Sequence, residues 1–256
     1  MKLNRIARAV LAAAAAAGLV VGVINPAHSA AKTTVSIVQS NALTGLNPSV
    51  QEYNLTFNTD VAYLSGIGFT YYNNQAQLVD NKAFGTYKIV SQKPFKVKYT
   101  VNPGRTWSDG TPINGIDLLL THVVSTAAYS VIAGLGDPND AKVTPAFLSL
   151  GYGGIYDEHV VGLPILSSDK MSVTVEYDTQ VPDWKLLAPG PTPVHTLVLM
   201  AEGKTKLGTL AENNAARERF YKYFQNCDTT HLKAIGKIWS ERSEEHTSEL
   251  QSHVRI

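Results

Sequence analysis

Cysteine is nearly absent from this 256-residue sequence, in which Cys227 is the only one. A single cysteine excludes a disulfide bond within the chain, and it excludes the paired Cys-x-x-Cys motifs of zinc sites and thiol oxidoreductases. The thiol is either free or paired with a cysteine outside these residues, and the sequence leaves both alternatives open.

Common catalytic motifs are absent as well. The sequence contains no Gly-x-Ser-x-Gly, no His-Glu-x-x-His and no phosphate loop. GLGDPND, at residues 134–140, lacks the Lys-Ser/Thr pair that a phosphate loop requires. The histidines between the two termini have separations that match no metal-ligand spacing, and we expect structural roles for them: His122, His159, His195 and His231. The sequence therefore predicts a protein that is not an enzyme and uses no metal or cofactor.

An excess of either charge is also missing. The formal net charge is +1 at pH 7, and no cluster of lysine and arginine forms a basic stripe. Proteins that bind nucleic acid depend on such a stripe, because the phosphate backbone is recognised mainly through positive charge. We expect no nucleic acid partner.

The N-terminal residues 1–31 have the pattern of a secretory signal peptide. Basic residues precede an apolar run over residues 9–24, and small residues follow, with cleavage expected after Ser29 or Ala31. A membrane anchor is the alternative, but the run is alanine-rich and short for a full span. No cysteine follows the run, which excludes a lipoprotein. We expect an exported protein, periplasmic or extracellular, with no membrane span after cleavage.

The C-terminal residues 242–256 show neither helical nor strand periodicity. Back-translated, RSEEHTSELQSH at residues 242–253 fits a common sequencing-library adapter read in frame. We therefore expect a non-native tail that takes no part in the fold, with gene-derived sequence ending near Glu241.

Several segments between the termini have the periodicity of regular structure. In residues 95–101 apolar residues occupy every second position, which is typical of a half-buried antiparallel strand. Strands are also predicted over residues 33–40, 86–90 and 171–177, and helices over about 59–66 and 209–225.

The segment TWSDGTPINGIDLLLTH predicts a tight turn followed by a capped helix. Asp109 and Gly110 favour the turn, because Asp can hydrogen-bond its own backbone and Gly accepts a positive φ. Asn114 is placed as the helix N-cap, and Asp117 three residues later completes a capping box. We expect the helix to run from Leu118 to Ala133, and both aspartates to be structural rather than catalytic.

This segment resembles the signature of the extracellular solute-binding proteins, family 5, which serve ATP-binding-cassette importers of oligopeptides, dipeptides and nickel. Residues 107–112 match the family's Trp-Ser-Asp-Gly-Thr-Pro in full, while residues 114–117, Asn-Gly-Ile-Asp, replace its Thr-Ala-Glu-Asp cap. Three further parts agree in order: LTGLNP at residues 43–48, the segment before the signature at residues 68–104, and a strand, Pro-aromatic helix and Pro-x-His within residues 173–195. Residues 79–81, Val-Asp-Asn, weaken the family's Pro-Asp-Leu-Ala. The resemblance covers about residues 33–241.

The resemblance implies an α/β chain that forms the first lobe of a two-lobed, periplasmic-binding-protein-like (class II) fold with mixed sheets. Family members are roughly twice as long, so we expect the lobe to be incomplete because the chain is truncated. Residues 32–241 would be a partial solute-binding domain. Within it, residues 32–60 and 160–241 would form the main subdomain and residues 61–159 an extra subdomain, with 242–256 as the tail.

The function implied is capture of oligopeptides or dipeptides outside the membrane and their delivery to the permease of an ATP-binding-cassette transporter. Extended peptides are commonly held by strand-like backbone hydrogen bonds, and hinge closure of two lobes then encloses the ligand. We expect this chain alone to bind solutes weakly or not at all. A sensor module that presents ligand, or binding of nickel, haem or oligosaccharide, remains an alternative; an exported hydrolase is disfavoured.

The resemblance also places a ligand-contacting loop after LTGLNP. That loop is expected to line the cleft through an aromatic residue and several amide or carboxylate groups: Gln51, Glu52, Tyr53, Asn54 and Asn58.

Overall fold

The computed structural model describes residues 38–39 and 41–241, and everything below concerns residues 41–241. The predicted signal peptide, the adapter-like tail and all but residues 38–39 of the strand predicted over residues 33–40 lie outside the described residues. Within the described part, no helix is both long and apolar enough to cross a membrane.

The described residues form the α/β fold that the sequence predicts, with two open sheets and a layer of helices. The strands are β1 Thr70–Tyr72, β2 Leu78–Asp80, β3 Gly85–Gln92, β4 Phe95–Val101, β5 Val160–Leu166 and β6 Ser172–Tyr177. The helices are α1 Thr56–Ser65, α2 Leu120–Val124, α3 Ala127–Ile132, α4 Ile155–His159, α5 Val194–Ala201, α6 Leu210–Gln225 and α7 Thr229–Glu241. Single 3-10 turns lie at Gln51–Tyr53, Gly115–Leu118 and Trp184–Leu187.

The larger sheet has the order β3-β4-β6-β5, with every described pair antiparallel, while β1 and β2 form a separate hairpin. The predicted alternation in β4 is confirmed: Phe95, Val97, Tyr99 and Val101 are all buried. On the opposite face Lys96 lies 2.7 Å from Glu176 of the neighbouring strand. One side of the sheet is therefore core, and the other carries cross-strand polar pairs.

The predicted capping box is present, because the Ile116 amide donates to Asn114 Oδ1 and the Asn114 amide donates to Asp117 Oδ2. The prediction of one helix from Leu118 to Ala133 is wrong. The chain instead forms a 3-10 turn, then α2, then α3, with Thr126 extended (φ −135°) at the break. Hydroxyl residues compete for local hydrogen bonds, and here Thr126 Oγ1 contacts His122 Nδ1 at 3.3 Å, which favours the break.

Two helices that the sequence did not predict complete the core. Nearly all of α5 is buried, so its apolar residues show no one-sided pattern from which a helix can be read. Helix α7 buries Leu232, Ile235 and Trp239 on one side. Helix α6, predicted over 209–225, begins one residue later and is capped by Thr209, whose side chain accepts from the Glu212 amide. Helices α5, α6 and α7 pack together beside the signature turn.

Candidate functional site

Three motifs that lie far apart in the sequence meet at one cavity of about 460 Å³, called here the motif cavity. LTGLNP contributes Leu46 and Asn47, and the signature contributes Trp107, Ser108 and Asp109. The third motif, ending in Pro-x-His, contributes Gly190, Pro191, Thr192, Pro193 and His195. Further wall residues are Ser49, Ala62, Ser65, Gly66, Ile67, Thr121, Val124, Ser125, Leu197, Ile238 and Trp239. Two tryptophans among polar groups make this a mixed apolar and polar pocket, the usual character of a small-ligand site.

Asp109 fixes one wall of the motif cavity through hydrogen bonds to two helices. Its Oδ2 lies 2.9 Å from His195 Nε2 of α5 and accepts from Asn213 Nδ2 of α6 at 3.0 Å. Its Oδ1 accepts from the Thr111 amide at 2.8 Å, which closes the turn, and Gly110 has the expected positive φ of 83°. The predicted turn is therefore confirmed, and it is anchored to the helix layer.

Protonation at this pair follows from burial and hydrogen bonding. Burial tends to raise the pKa of Asp109, but the bonds from the Thr111 amide and His195 outweigh it and leave that pKa below its usual value. Burial lowers the pKa of His195, and the Asp109 carboxylate opposes that shift only in part. At neutral pH the pair is therefore a carboxylate that accepts from the Nε2–H of a neutral imidazole.

Asp117 and Arg217 form a second, deeper link between the signature and α6. Arg217 Nη1 lies 3.1 Å from Asp117 Oδ2, and their side chains are 3% and 0% exposed. Arg217 also donates to the Pro112 carbonyl and to Asn214 Oδ1. Burial raises the pKa of Asp117 to about 6, although Arg217 and the Asn114 amide pull it down. The capping aspartate is thus the buried partner of an arginine, which the sequence pattern did not reveal.

Asp109 and His195 are arranged like the carboxylate and the base of a catalytic triad. In such a triad the other imidazole nitrogen activates a nucleophile. His195 Nδ1, the nitrogen that would act on a nucleophile, is buried and has no hydrogen-bond partner in the described part of the chain. No serine, threonine or cysteine in residues 41–241 therefore stands in position to be activated. The arrangement anchors the turn to the helix layer. Nor does any group of three or more His, Cys, Asp or Glu residues in that range lie close enough to hold a metal ion.

The five predicted ligand contacts lie near the motif cavity in sequence but do not line it. Gln51, Glu52 and Asn54 are exposed, on and just after a single 3-10 turn. Tyr53 is 6% exposed, and its ring fills the space above Gly45, where an added Cβ would lie 2.5 Å from the ring. Asn58 is fully buried in α1. Tyr53 and Asn58 are thus buried here, and ligand contact by these five residues stays a prediction.

Asn58 joins LTGLNP and the loop after it to α1 through three hydrogen bonds. Its Nδ2 donates to Thr44 Oγ1 and to the Tyr53 carbonyl, each at 3.0 Å, and its Oδ1 accepts from the Thr44 amide at 3.1 Å.

We predict that Asn58→Leu destabilises the fold by about 2 kcal/mol, because buried backbone groups lose their partners. Asn54→Ala is the matched control: its exposed amide should cost no more than about 0.5 kcal/mol. Urea unfolding of both variants measures the difference, and equal midpoints would show that Asn58 has no structural role.

Comparisons with known proteins give structural matches only. No protein-family model matches the chain. No curated protein matches it either. The resemblance to family 5 therefore consists of the quoted motifs.

Solved structures match parts of the chain at low identity. A periplasmic EDTA-binding protein, EppA, is 18% identical, with a TM-score of 0.48 over 68% of this chain and 28% of its own. NikZ from Campylobacter jejuni, in complex with Ni(L-His), is 16% identical, with a TM-score of 0.38 over 60% and 26%. An oligopeptide binding protein from Thermus thermophilus, complexed with pentapeptide, is 15% identical, with a TM-score of 0.36 over 70% and 29%. This chain spans less than a third of the length of each.

Proposed function

We propose that the chain belongs to an extracytoplasmic solute-binding protein that captures oligopeptides or dipeptides and delivers them to an importer permease. The observation that supports this proposal best is the convergence of all three family-like motifs on the motif cavity. Local turns and helix caps alone would not require the three motifs to line one cavity. The neutral charge and the missing nucleophile both argue for binding rather than for nucleic acid recognition or hydrolysis.

The motif cavity suits an extended peptide because its walls combine apolar rings with polar groups. Trp107 offers apolar surface to side chains, and Ser108 is exposed at the wall beside it, where its hydroxyl can meet a peptide backbone. Asn47 and Thr121 brace the wall through hydrogen bonds to the Trp239 and Gly190 carbonyls. The Asp109 network holds Trp107 and Ser108 in place without ligand, so less ordering entropy is lost on binding. We include Gln51, Glu52 and Asn54 in the proposal as exposed contacts that follow the cavity-wall residues in sequence, and Tyr53 and Asn58 as their support.

The remaining parts of the proposal rest on the sequence. They are export by the N-terminal signal, a two-lobed parent protein of which this chain supplies the first lobe, and an adapter-derived tail. The division into residues 32–60 plus 160–241 and residues 61–159 also stays a prediction. A ligand-presenting sensor would use the same cavity, and a sensor-kinase gene beside the locus, in place of a permease gene, would favour it.

Tryptophan fluorescence gives a test with an internal control. Trp107 and Trp239 line the motif cavity, whereas Trp184 lies against Tyr87, with ring centroids 5.4 Å apart. In the complete gene product, we expect mixed tri- to pentapeptides to change the emission saturably. Trp184→Phe should keep that response, and Trp107→Phe with Trp239→Phe should remove it. A response that depends on Trp184 alone would place the ligand elsewhere, and release of amino acids from the peptides would show a hydrolase.

A further inference from the structure

A second cavity, of about 700 Å³, lies next to the motif cavity and is called here the tyrosine cavity. The two share only Ala62, Gly66 and Ile67, at the C-terminal end of α1. The other walls come from the β1–β2 hairpin and from the segment that leads into the signature. The residues that matter below are Tyr63, Tyr71, Tyr72 and Arg105.

Arg105 is the unusual member of this cavity. Its Nε is buried and has no hydrogen-bond partner within the described residues, and no carboxylate there pairs with it. The other two described arginines are both paired, Arg217 with Asp117 and Arg219 with Glu202. The buried Nε is out of reach of a ligand in the cavity, so an anion would bind the two terminal nitrogens of the guanidinium, which has no carboxylate partner among the described residues. Its planar fork of donors matches a carboxylate.

The tyrosines give the same cavity an accessible aromatic lining, in which Tyr63 is held by hydrogen bonds. Tyr63, Tyr71 and Tyr72 are 55%, 45% and 51% exposed. The Tyr63 hydroxyl accepts from the Tyr72 amide at 2.8 Å and donates to the Tyr72 carbonyl at 3.0 Å, which ties α1 to β1 across the cavity. Rigid aromatic walls beside one oriented charge are typical of sites for small planar ligands.

We propose that the tyrosine cavity binds a small aromatic monocarboxylate, with the carboxylate on the terminal nitrogens of Arg105 and the ring against the tyrosine side chains of the lining. Among the described residues that line the cavity, Arg105 is the only cation, so a single negative charge suits it better than a phosphate dianion. The tyrosine side chains of the lining favour an aromatic ring as the body of the ligand. This site is separate from the peptide-binding proposal, and either stands without the other.

The first test uses the unaltered chain and calorimetric titration with three probes: benzoate, benzamide and inorganic phosphate. Benzoate should bind saturably at millimolar concentrations. Benzamide, which keeps the ring and loses the charge, should bind at least about tenfold more weakly, as expected for the loss of a charge-assisted hydrogen bond. Phosphate, which lacks the ring, should also bind at least about tenfold more weakly on the same affinity scale. Equal affinity for benzoate and benzamide, or no benzoate binding, would overturn the proposal.

Variants then locate the site. Arg105→Gln should lower benzoate affinity about tenfold or more, and Tyr71→Ala should lower it without abolishing the preference for benzoate over benzamide. Arg219→Gln is the matched control, since it removes an arginine outside the cavity, and it should leave binding unchanged. If Arg219→Gln weakens benzoate binding as much as Arg105→Gln, the site is not the tyrosine cavity. If Arg105→Gln does not fold, the comparison of benzoate with benzamide on the unaltered chain still tests whether binding requires the carboxylate.

Discussion

Replacing Arg217 with alanine is expected to destabilise the chain by about 3–5 kcal/mol, because Asp117 would keep its burial and lose its partner. The Asp117 side chain is 0% exposed, and Arg217 lies 3.1 Å from it. The loss approaches the whole stability of an ordinary domain, which is about 5–15 kcal/mol. Chemical unfolding followed by circular dichroism measures it.

The control for this variant lies two residues farther along the same helix. Arg219 forms an ion pair with Glu202 at 2.7 Å, but both side chains are about a third exposed. Arg219→Ala should therefore cost less than about 1 kcal/mol. The double variant Asp117→Leu with Arg217→Met should regain part of the loss, since an apolar pair removes the unpaired charge but leaves the Asn114 amide and the Pro112 carbonyl without these partners. A loss for Arg217→Ala no greater than that for Arg219→Ala would contradict the assigned role of the pair.

The second large effect is a loss of stability in acid that depends on His122. This imidazole is 2% exposed and lies edge-on to the rings of Tyr129, Tyr156 and Phe224. Its Nδ1 lies 3.2 Å from the Tyr156 hydroxyl. Burial lowers the pKa of His122 to about 4, against an ordinary value near 6.5.

Between those two pKa values the unfolded chain binds a proton that the folded chain does not, so folding stability falls as the pH is lowered from about 6.5 to about 4. The contribution is about 3 kcal/mol over that window. Asp117 acts in the opposite sense below about pH 6, because its folded-state pKa is raised and its folded form binds the extra proton. The effect of His122 is therefore measured as a difference between chains.

His122→Gln should remove this part of the acid sensitivity, while His231→Gln, at an exposed helix position, should retain it. Unfolding free energies at neutral pH and near pH 4 give the comparison. If His122→Gln and the unaltered chain lose the same free energy in acid, His122 is not neutral in the folded state and its assigned burial is wrong.

Local sequence signals predicted the parts of the fold that short segments determine by themselves. The alternation of β4, the Asp109–Gly110 turn, the Asn114 cap and the start of α6 at Thr209 are such cases. Helix α5 was not predicted, because a segment buried on nearly every side has no periodic contrast. The break at Thr126 depends in part on Asp157, thirty positions away, which accepts from the Ala127 amide.

The candidate site shows the same division. The motifs that line the motif cavity were visible in the sequence, but their proximity depends on the tertiary structure. Asp109 and His195 lie 86 positions apart, and no local pattern joins them. The resemblance predicted ligand contacts at residues 51–54. Leu46, Asn47 and Ser49, just before them, line the motif cavity. Pairing the Pro-x-His motif with the signature aspartate is the one sequence signal that would have located the network.

The most direct test of the central claim is a peptide titration of two proteins side by side: this 256-residue chain and the product of the complete open reading frame recovered from its locus. We predict saturable binding of short peptides at micromolar concentrations or below by the complete product, without cleavage, and weak or no binding by this chain. Binding by the complete product should weaken when Trp107, which lines the motif cavity, is replaced by alanine. A complete product that binds no peptide, or that hydrolyses the peptides it binds, would contradict solute capture.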